Sequence, residues 1–170
     1  GGLLREVARH FGLPVEEVRI PTRASNAHYE EAMAHVLTRY RAQGVHRVIF
    51  GDLFLEDIRR YREGQLARLG MEGLFPLWLQ DTRRLAEGFL AAGFRAILVC
   101  VDPRQLPPAF CGRDFDAALL KDLPPGVDPC GERGEFHTFV YDGPIFRQPV
   151  RVSRGEVVER DGFWFCDLLP

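Results

Sequence analysis

The apolar positions of the first hundred residues alternate between helical spacing and short continuous runs. Residues 3–11 carry apolar side chains at intervals of three and four, which predicts a helix closed by Gly12. Further helices are predicted after Ser25 or Asn26, over about 55–69, and from Asp81 or Thr82 to Ala92. The runs at 15–20, 45–50 and 94–101 predict strands. This alternation indicates an α/β architecture, a parallel sheet with helices on both faces.

The pattern changes after Pro103, where prolines become frequent. A short helix is predicted over 114–121, and runs at 136–141, 145–152, 155–160 and 163–168 predict antiparallel strands and hairpins. We therefore predict an α/β nucleotide-binding domain over 1–103 and a mostly β, substrate-side domain over 104–170. The first helix begins directly after Gly1-Gly2, so we expect the natural chain to start further upstream.

Composition and charge narrow the class of protein. The 170 residues are 46% hydrophobic and 27% charged, which is typical of a globular protein. The net charge of −2 gives no general reason to bind nucleic acid or anionic membranes. No apolar run approaches the ~18 residues of a membrane span, and no secretory signal opens the chain. The four cysteines form no CxxC pair, which argues against structural zinc; we expect a reduced, cytoplasmic setting without a bound metal.

The segment from Asp128 to Phe146 carries the densest candidate chemistry. Gly131 and Gly134 permit close approach of the backbone to a ligand. Glu132 and Glu135 could orient an amine, ammonia or a sugar hydroxyl, or could take a proton from a nucleophile, and His137 could transfer protons. The same residues also fit a loop whose glycines make turns and whose acids are solvated. From the residues alone, both interpretations stay open.

A second candidate site follows the strand at 45–50. Ligands of parallel α/β sheets gather at the carboxyl ends of the strands. Gly51 would admit a planar base there, Asp52 could serve a ribose, a metal or a partner arginine, and Arg59 could pair with a phosphate or a carboxylate. Trp78 could line a pocket or pack in the core, and Asp102 holds the equivalent position after the strand at 94–101.

Several of these segments resemble one family. They are Gly51-Asp52 with Arg59 and Glu63, Leu74-Phe-Pro-Leu-Trp78 with Asp81, Phe110-Cys-Gly-Arg113, and above all Asp128-Pro-Cys-Gly-Glu132 with Gly134-Glu-Phe-His-Thr138. Together they resemble the ATP-binding proteins related to diphthine–ammonia ligase, in the PP-loop ATP pyrophosphatase superfamily. The resemblance implies a Rossmann-like, adenine nucleotide alpha hydrolase-like domain. It also implies a Ser-Gly-Gly-x-Asp-Ser phosphate loop after the first strand.

The resemblance also implies an activity. Such proteins adenylate a carboxylate with ATP and Mg²⁺, release pyrophosphate and let ammonia displace AMP. The known acyl substrate of the family is a modified histidine on elongation factor 2. By this resemblance Gly51, Asp52 and Arg59 would face the nucleotide, and Glu132, Glu135 and His137 would be catalytic. The substrate would be bound by Trp78, Cys130, Gly131, Gly134 and Thr138.

Two departures from the family pattern matter. The Ser-Gly-Gly-x-Asp-Ser loop is absent from these residues, and Arg133 stands where the family usually has Asn. We therefore expect the first strand and the phosphate loop to lie upstream. The alternatives are a non-catalytic ATP- or AMP-binding regulatory module and an RNA-modifying enzyme of the same superfamily. The hairpin-rich end of the chain offers an edge through which a homodimer could form.

Overall fold

The computed structural model describes residues 2–21 and 25–170. The chain divides into two compact units, one formed by Glu16–Leu79 and the other by Gly1–Val15 with Gln80–Pro170. The domain boundary that we place between residues 103 and 104 stays a prediction. In the described ranges, no helix combines the length and the apolar character that crossing a bilayer demands.

The unit Glu16–Leu79 is a small α/β assembly. It contains α2 (Asn26–Ala42), β1 (Arg47–Ile49), α3 (Glu56–Arg68) and β2 (Glu72–Leu74). β1 and β2 are parallel, with Val48 opposite Gly73. The predicted cap of α2 is confirmed, because Ser25 accepts a hydrogen bond from the His28 backbone.

The strand predicted over 15–20 is wrong, because residues 13–20 have no regular secondary structure. Val15 is exposed, and Glu16 pairs instead with Arg39 of α2. A strand needs a neighbour to complete its hydrogen-bond ladder, and the local sequence pattern cannot supply one.

The second unit is built on an antiparallel sheet. Its helices are α1 (Gly2–Phe11), α4 (Thr82–Ala91) and α5 (Ala117–Asp122), with a 3₁₀ turn at Pro108–Phe110. The sheet has the order β4-β3-β6-β5, formed by β3 (Arg95–Val101), β4 (Phe136–Asp142), β5 (Ser153–Arg160) and β6 (Phe163–Leu169). All of these pairings are antiparallel.

The sheet corrects one prediction and confirms another. The strand at 94–101 was expected in a parallel sheet, but β3 pairs antiparallel with both neighbours. The continuous apolar run of β3 indicates that both faces of the strand are buried. It does not determine whether the neighbouring strands run parallel or antiparallel. The mostly antiparallel C-terminal part is confirmed, except that residues 145–152 form turns and irregular chain, broken by Pro144 and Pro149. The α/β class is therefore confirmed, while the Rossmann-like arrangement stays a prediction.

The core of this second unit surrounds β3. Leu98 is fully buried and packs with Ala86 of α4, Leu119 of α5 and Phe136, the first residue of β4. Cys100 and Cys166 are buried. Because β4 begins inside this core, the loop that precedes it is attached directly to the core.

Candidate functional site

The loop Asp128–Glu135 is organised around a buried glutamate. Glu135 is only 1% exposed. Its Oε1 accepts the backbone N–H of Asp128 at 3.0 Å, and its Oε2 accepts the backbone N–H of Arg133 at 2.9 Å. Arg133 Nη1 lies 3.7 Å from Oε1. Both carboxylate oxygens therefore hold the loop in shape, and Glu135 is poorly placed to exchange a proton with a ligand.

Asp128 is a second buried carboxylate, which the sequence pattern alone did not single out. It is 4% exposed, and its Oδ2 accepts the backbone N–H of Glu132 at 2.9 Å. Its carbonyl oxygen accepts the backbone N–H of Gly131 at 2.9 Å. The available signal was an aspartate at the start of a proline- and glycine-rich turn, since aspartate side chains bond to backbone N–H groups a few residues ahead.

The two glycines of the loop adopt the left-handed conformation. Gly131 has φ +69°, and Gly134 has φ +79°. A Cβ atom on Gly131 would lie 2.8 Å from the carbonyl oxygen of Phe136, whereas one on Gly134 would meet open space. Gly131 is therefore required by both conformation and packing, and Gly134 by conformation alone.

We expect alanine substitutions to rank accordingly. Gly131→Ala should lower the free energy of unfolding by about 2 kcal/mol or more, and Gly134→Ala by about 1 kcal/mol. The matched control is Gly88→Ala in α4, where a Cβ meets nothing within 4 Å; it should stabilise by about 0.5–1 kcal/mol. Urea unfolding of the three variants gives the ranking. A Gly131 variant as stable as the wild type would contradict this loop geometry.

Cys130 links the loop to the start of α4. Its Sγ donates a hydrogen bond to the carbonyl oxygen of Thr82 at 3.3 Å. Burial raises the pKa of this thiol to about 11, and the nearby Asp128 and Glu132 act in the same direction. Because the thiolate is the nucleophile, Cys130 is placed as a neutral hydrogen-bond donor and not as an attacking group.

The raised pKa predicts slow alkylation of Cys130. At pH 8 only about one thiol in a thousand would be ionised, against about one in four for an ordinary thiol of pKa ≈ 8.5. Iodoacetamide should therefore modify native Cys130 about 10²-fold more slowly than the same residue in denaturant. Peptide mass spectrometry separates Cys130 from the other cysteines, and equal rates in the two states would show that the thiol is not buried.

His137 and Thr138 lie beyond the loop, exposed on β4. His137 is opposite Cys100 of β3 and lines an open groove with Phe163 and Phe165. The structure thus brings Cys130, Gly131, Glu132, Gly134 and Glu135 together in one loop, and places His137 and Thr138 on the strand that leaves it.

Asp52 follows β1 and is engaged in an ion pair. Its Oδ2 lies 2.7 Å from Arg62 Nε of α3, and the Asp52 side chain is 13% exposed. The Arg62 guanidinium lies 4.7 Å from the centroid of the Phe50 ring. The neighbouring Gly51 is exposed, and a Cβ there would meet open space. The surface beside Gly51 is therefore accessible, while Asp52 is held by α3.

Arg59 lies between two aromatic rings. Its guanidinium carbon is 4.7 Å from the ring centroids of both Phe75 and Trp78, and its Nε lies 2.8 Å from Glu63 Oε1. Phe75 also stacks on Phe50, with centroids 5.3 Å apart. Cation–π contacts of this kind fix both partners. Arg59 and Trp78 therefore pack against each other on the surface that follows β1 and β2. The nucleotide contact predicted for Arg59 and the substrate contact predicted for Trp78 stay predictions.

The side chains that could ligate a metal are dispersed. Within residues 2–21 and 25–170, no group of three or more His, Cys, Asp or Glu side chains is placed to hold a metal ion. These residues therefore do not fit a Mg²⁺ ion held by the protein alone.

Comparison with known proteins identifies the family. Residues 81–168, more than half of the chain, match the model of the diphthamide synthase C-terminal domain. Proteins named diphthine–ammonia ligase are 33% identical over 120 residues in Bos taurus, 32% over 110 in Schizosaccharomyces pombe and 28% over 153 in Rattus norvegicus. In the same order, the matches cover 67%, 62% and 86% of this chain. They cover only 45%, 18% and 57% of the relatives' own lengths. The match of 81–168 includes the whole Asp128–Glu135 loop, and the chain belongs to the diphthine–ammonia ligase-related family that carries this diphthamide synthase C-terminal domain.

Proposed function

We propose that the complete protein carrying this chain is an ATP-dependent amide ligase that acts on a diphthine-like carboxylate. The observation that carries the proposal is the Asp128–Glu135 loop, which lies inside the matched domain. Two buried carboxylates fix its backbone from within. Burying charged groups is costly unless they are hydrogen-bonded, and a preorganised loop is what a reacting group requires.

The proposed reaction has two steps. A carboxylate oxygen of the acceptor attacks the α-phosphorus of ATP; a P–O bond forms, and the bond to the β-phosphate breaks to release pyrophosphate. Ammonia then attacks the acyl carbon and gives up a proton, the C–O bond to AMP breaks, and an amide remains. The acyl adenylate is needed because a free carboxylate is a poor electrophile with no good leaving group.

Within this reaction we assign Glu132 to proton transfer and Glu135 to positioning. The Glu132 backbone is fixed by Asp128, and its side chain is more exposed than that of Glu135. A general base must come within hydrogen-bond distance of the proton that it accepts. Both oxygens of Glu135 are instead bonded to backbone N–H groups of the loop. Arg133, whose side chain is 53% exposed, adds a positive charge suited to a carboxylate or phosphate oxygen. His137 stays a candidate for proton transfer.

For the nucleotide we propose the surface formed by Gly51, Asp52, Arg59 and Trp78. It follows the two parallel strands, which is where α/β sheets bind ligands. The accessible edge at Gly51 and the ordered ring of Trp78 are suited to contact a planar base.

The test is an assay of the complete protein with ATP, ammonium and elongation factor 2 bearing diphthine. Pyrophosphate and AMP should form in equal amounts over many turnovers, and sustained turnover should require all three substrates. The control is elongation factor 2 that lacks the modified histidine. ATP binding without any pyrophosphate release would favour the non-catalytic module, for which the engaged side chains of Asp52 and Arg59 are the supporting observation. Absence of ATP binding would contradict both.

A further inference from the structure

Asp102, directly after β3, is a buried acid outside the loop that accepts several hydrogen bonds. It is 2% exposed. Its Oδ1 accepts the backbone N–H of Arg104 at 3.0 Å and Nε of Arg104 at 2.8 Å. Its Oδ2 accepts Nη2 of Arg104 at 2.8 Å and Nε2 of Gln105 at 3.0 Å. The bonds from Arg104 hold the pKa of Asp102 well below its ordinary value, so the carboxylate is charged at neutral pH.

This carboxylate fixes a turn that contacts the end of the Asp128–Glu135 loop. The backbone N–H of Asp102 donates to the carbonyl oxygen of Glu135 at 3.0 Å. Nε2 of Gln105, held by Asp102, also lies 3.5 Å from the carbonyl oxygen of Arg133. Leu106, which closes the turn by donating to the Asp102 carbonyl oxygen, is buried in the core. The turn 102–106 is therefore anchored to the core on one side and to the loop on the other.

We infer that Asp102 is a positioning residue of the loop. Through Gln105 and its own backbone it fixes the carbonyl groups of Arg133 and Glu135, and so sets the direction in which Glu132 and Arg133 face a ligand. Glu135 accepts hydrogen bonds from N–H groups of the loop, whereas Asp102 and Gln105 donate hydrogen bonds to its carbonyl groups. The effect of Asp102 on catalysis rests on the proposed function. Its effect on the conformation of the loop does not.

Two variants of the complete protein test the inference. Asp102→Asn keeps the shape of the side chain but places an amide where Arg104 or Gln105 donates. Gln105→Ala removes an exposed side chain, so the fold is expected to survive. The control is Asp116→Asn, which alters the acid that caps α5 by accepting the backbone N–H of Leu119. Hydrogen exchange of peptides covering 128–135 should be about fivefold faster in both variants than in the control, as the loss of one hydrogen bond predicts.

The kinetic readout separates positioning from a structural role. With diphthine-bearing elongation factor 2 as the probe, its KM should rise about tenfold in both variants while the KM for ATP is unchanged. Loss of active protein alone would lower kcat and leave both KM values unchanged, which would overturn the inference. The inference would also be overturned if hydrogen exchange of residues 128–135 in Gln105→Ala were as slow as in the wild type. If Asp102→Asn fails to fold, the result for Gln105→Ala decides alone. Absence of ligase activity in the wild-type protein would contradict the proposed function. The hydrogen-exchange data would still show whether Asp102 and Gln105 hold the loop in place.

Discussion

Glu135→Gln is expected to lower the free energy of unfolding by about 2–3 kcal/mol, the cost of leaving a buried backbone N–H without an acceptor. Each oxygen of the carboxylate accepts one backbone N–H, from Asp128 and from Arg133. An amide keeps one acceptor oxygen and turns an NH₂ group towards the second N–H, so one hydrogen bond is replaced by a repulsive contact. Urea unfolding monitored by tryptophan fluorescence measures the change.

The matched control for this variant is Glu87→Gln. Glu87 lies on the exposed side of α4 and pairs with Arg83 one turn earlier. Exposed pairs at this spacing contribute about 0.3–0.5 kcal/mol, so its effect should be several times smaller. Equal destabilisation by the two substitutions would show that Glu135 does not hold the loop.

Glu132→Gln is expected to lower kcat by about 10²- to 10⁴-fold, the usual contribution of a positioned acid or base, with unfolding changed by about 0.5 kcal/mol or less. The loop backbone at Glu132 is fixed through its N–H by Asp128, a contact that the substitution keeps. Stability and activity should therefore separate in this variant, whereas Glu135→Gln should lose both. Steady-state kinetics beside urea unfolding measures the two properties.

Full turnover by Glu132→Gln would remove Glu132 from the catalytic group. In that case His137 would be the next residue to test.

Much of the secondary structure could be predicted because local patterns determine it. The apolar spacing and caps at Ser25 and Asp81 predicted α2 and α4 closely, since both acceptors bond to the first turn of their helices. Runs of apolar and aromatic residues similarly predicted β4 and β6. These elements are specified by residues that are adjacent in sequence.

Strand partners could not be predicted in the same way. The apolar run of β3 indicates burial, but the antiparallel pairing of Ala96–Leu98 with β4, and of Cys100 and Val101 with β6, depends on chain more than 30 residues away. The segment 15–20, with Val15, Val18 and Ile20 among charged residues, was also predicted as a strand, yet residues 13–20 have no regular secondary structure and Glu16 pairs with Arg39. Periodicity describes which faces are buried and leaves the neighbours of a strand undetermined.

The candidate site shows the same division. The sequence singled out Gly131, Glu132 and Glu135 correctly as one loop, because glycine and acid spacing is a local property. It could not separate their roles, since the burial of Glu135 depends on how the loop folds back on Asp128. The sequence placed Asp128 in the motif and Asp102 at a strand end without predicting burial for either, and both are buried acceptors of backbone or side-chain donors.

The most direct measurement follows nitrogen from ammonium into the acceptor. The complete protein is incubated with ATP, isotopically labelled ammonium and diphthine-bearing elongation factor 2, and the modified peptide is examined by mass spectrometry. We predict that one labelled nitrogen replaces one hydroxyl oxygen of the diphthine carboxylate for each AMP and pyrophosphate released. ATP consumption with no label in the acceptor, or labelled acceptor formed without ATP, would contradict the ligase function.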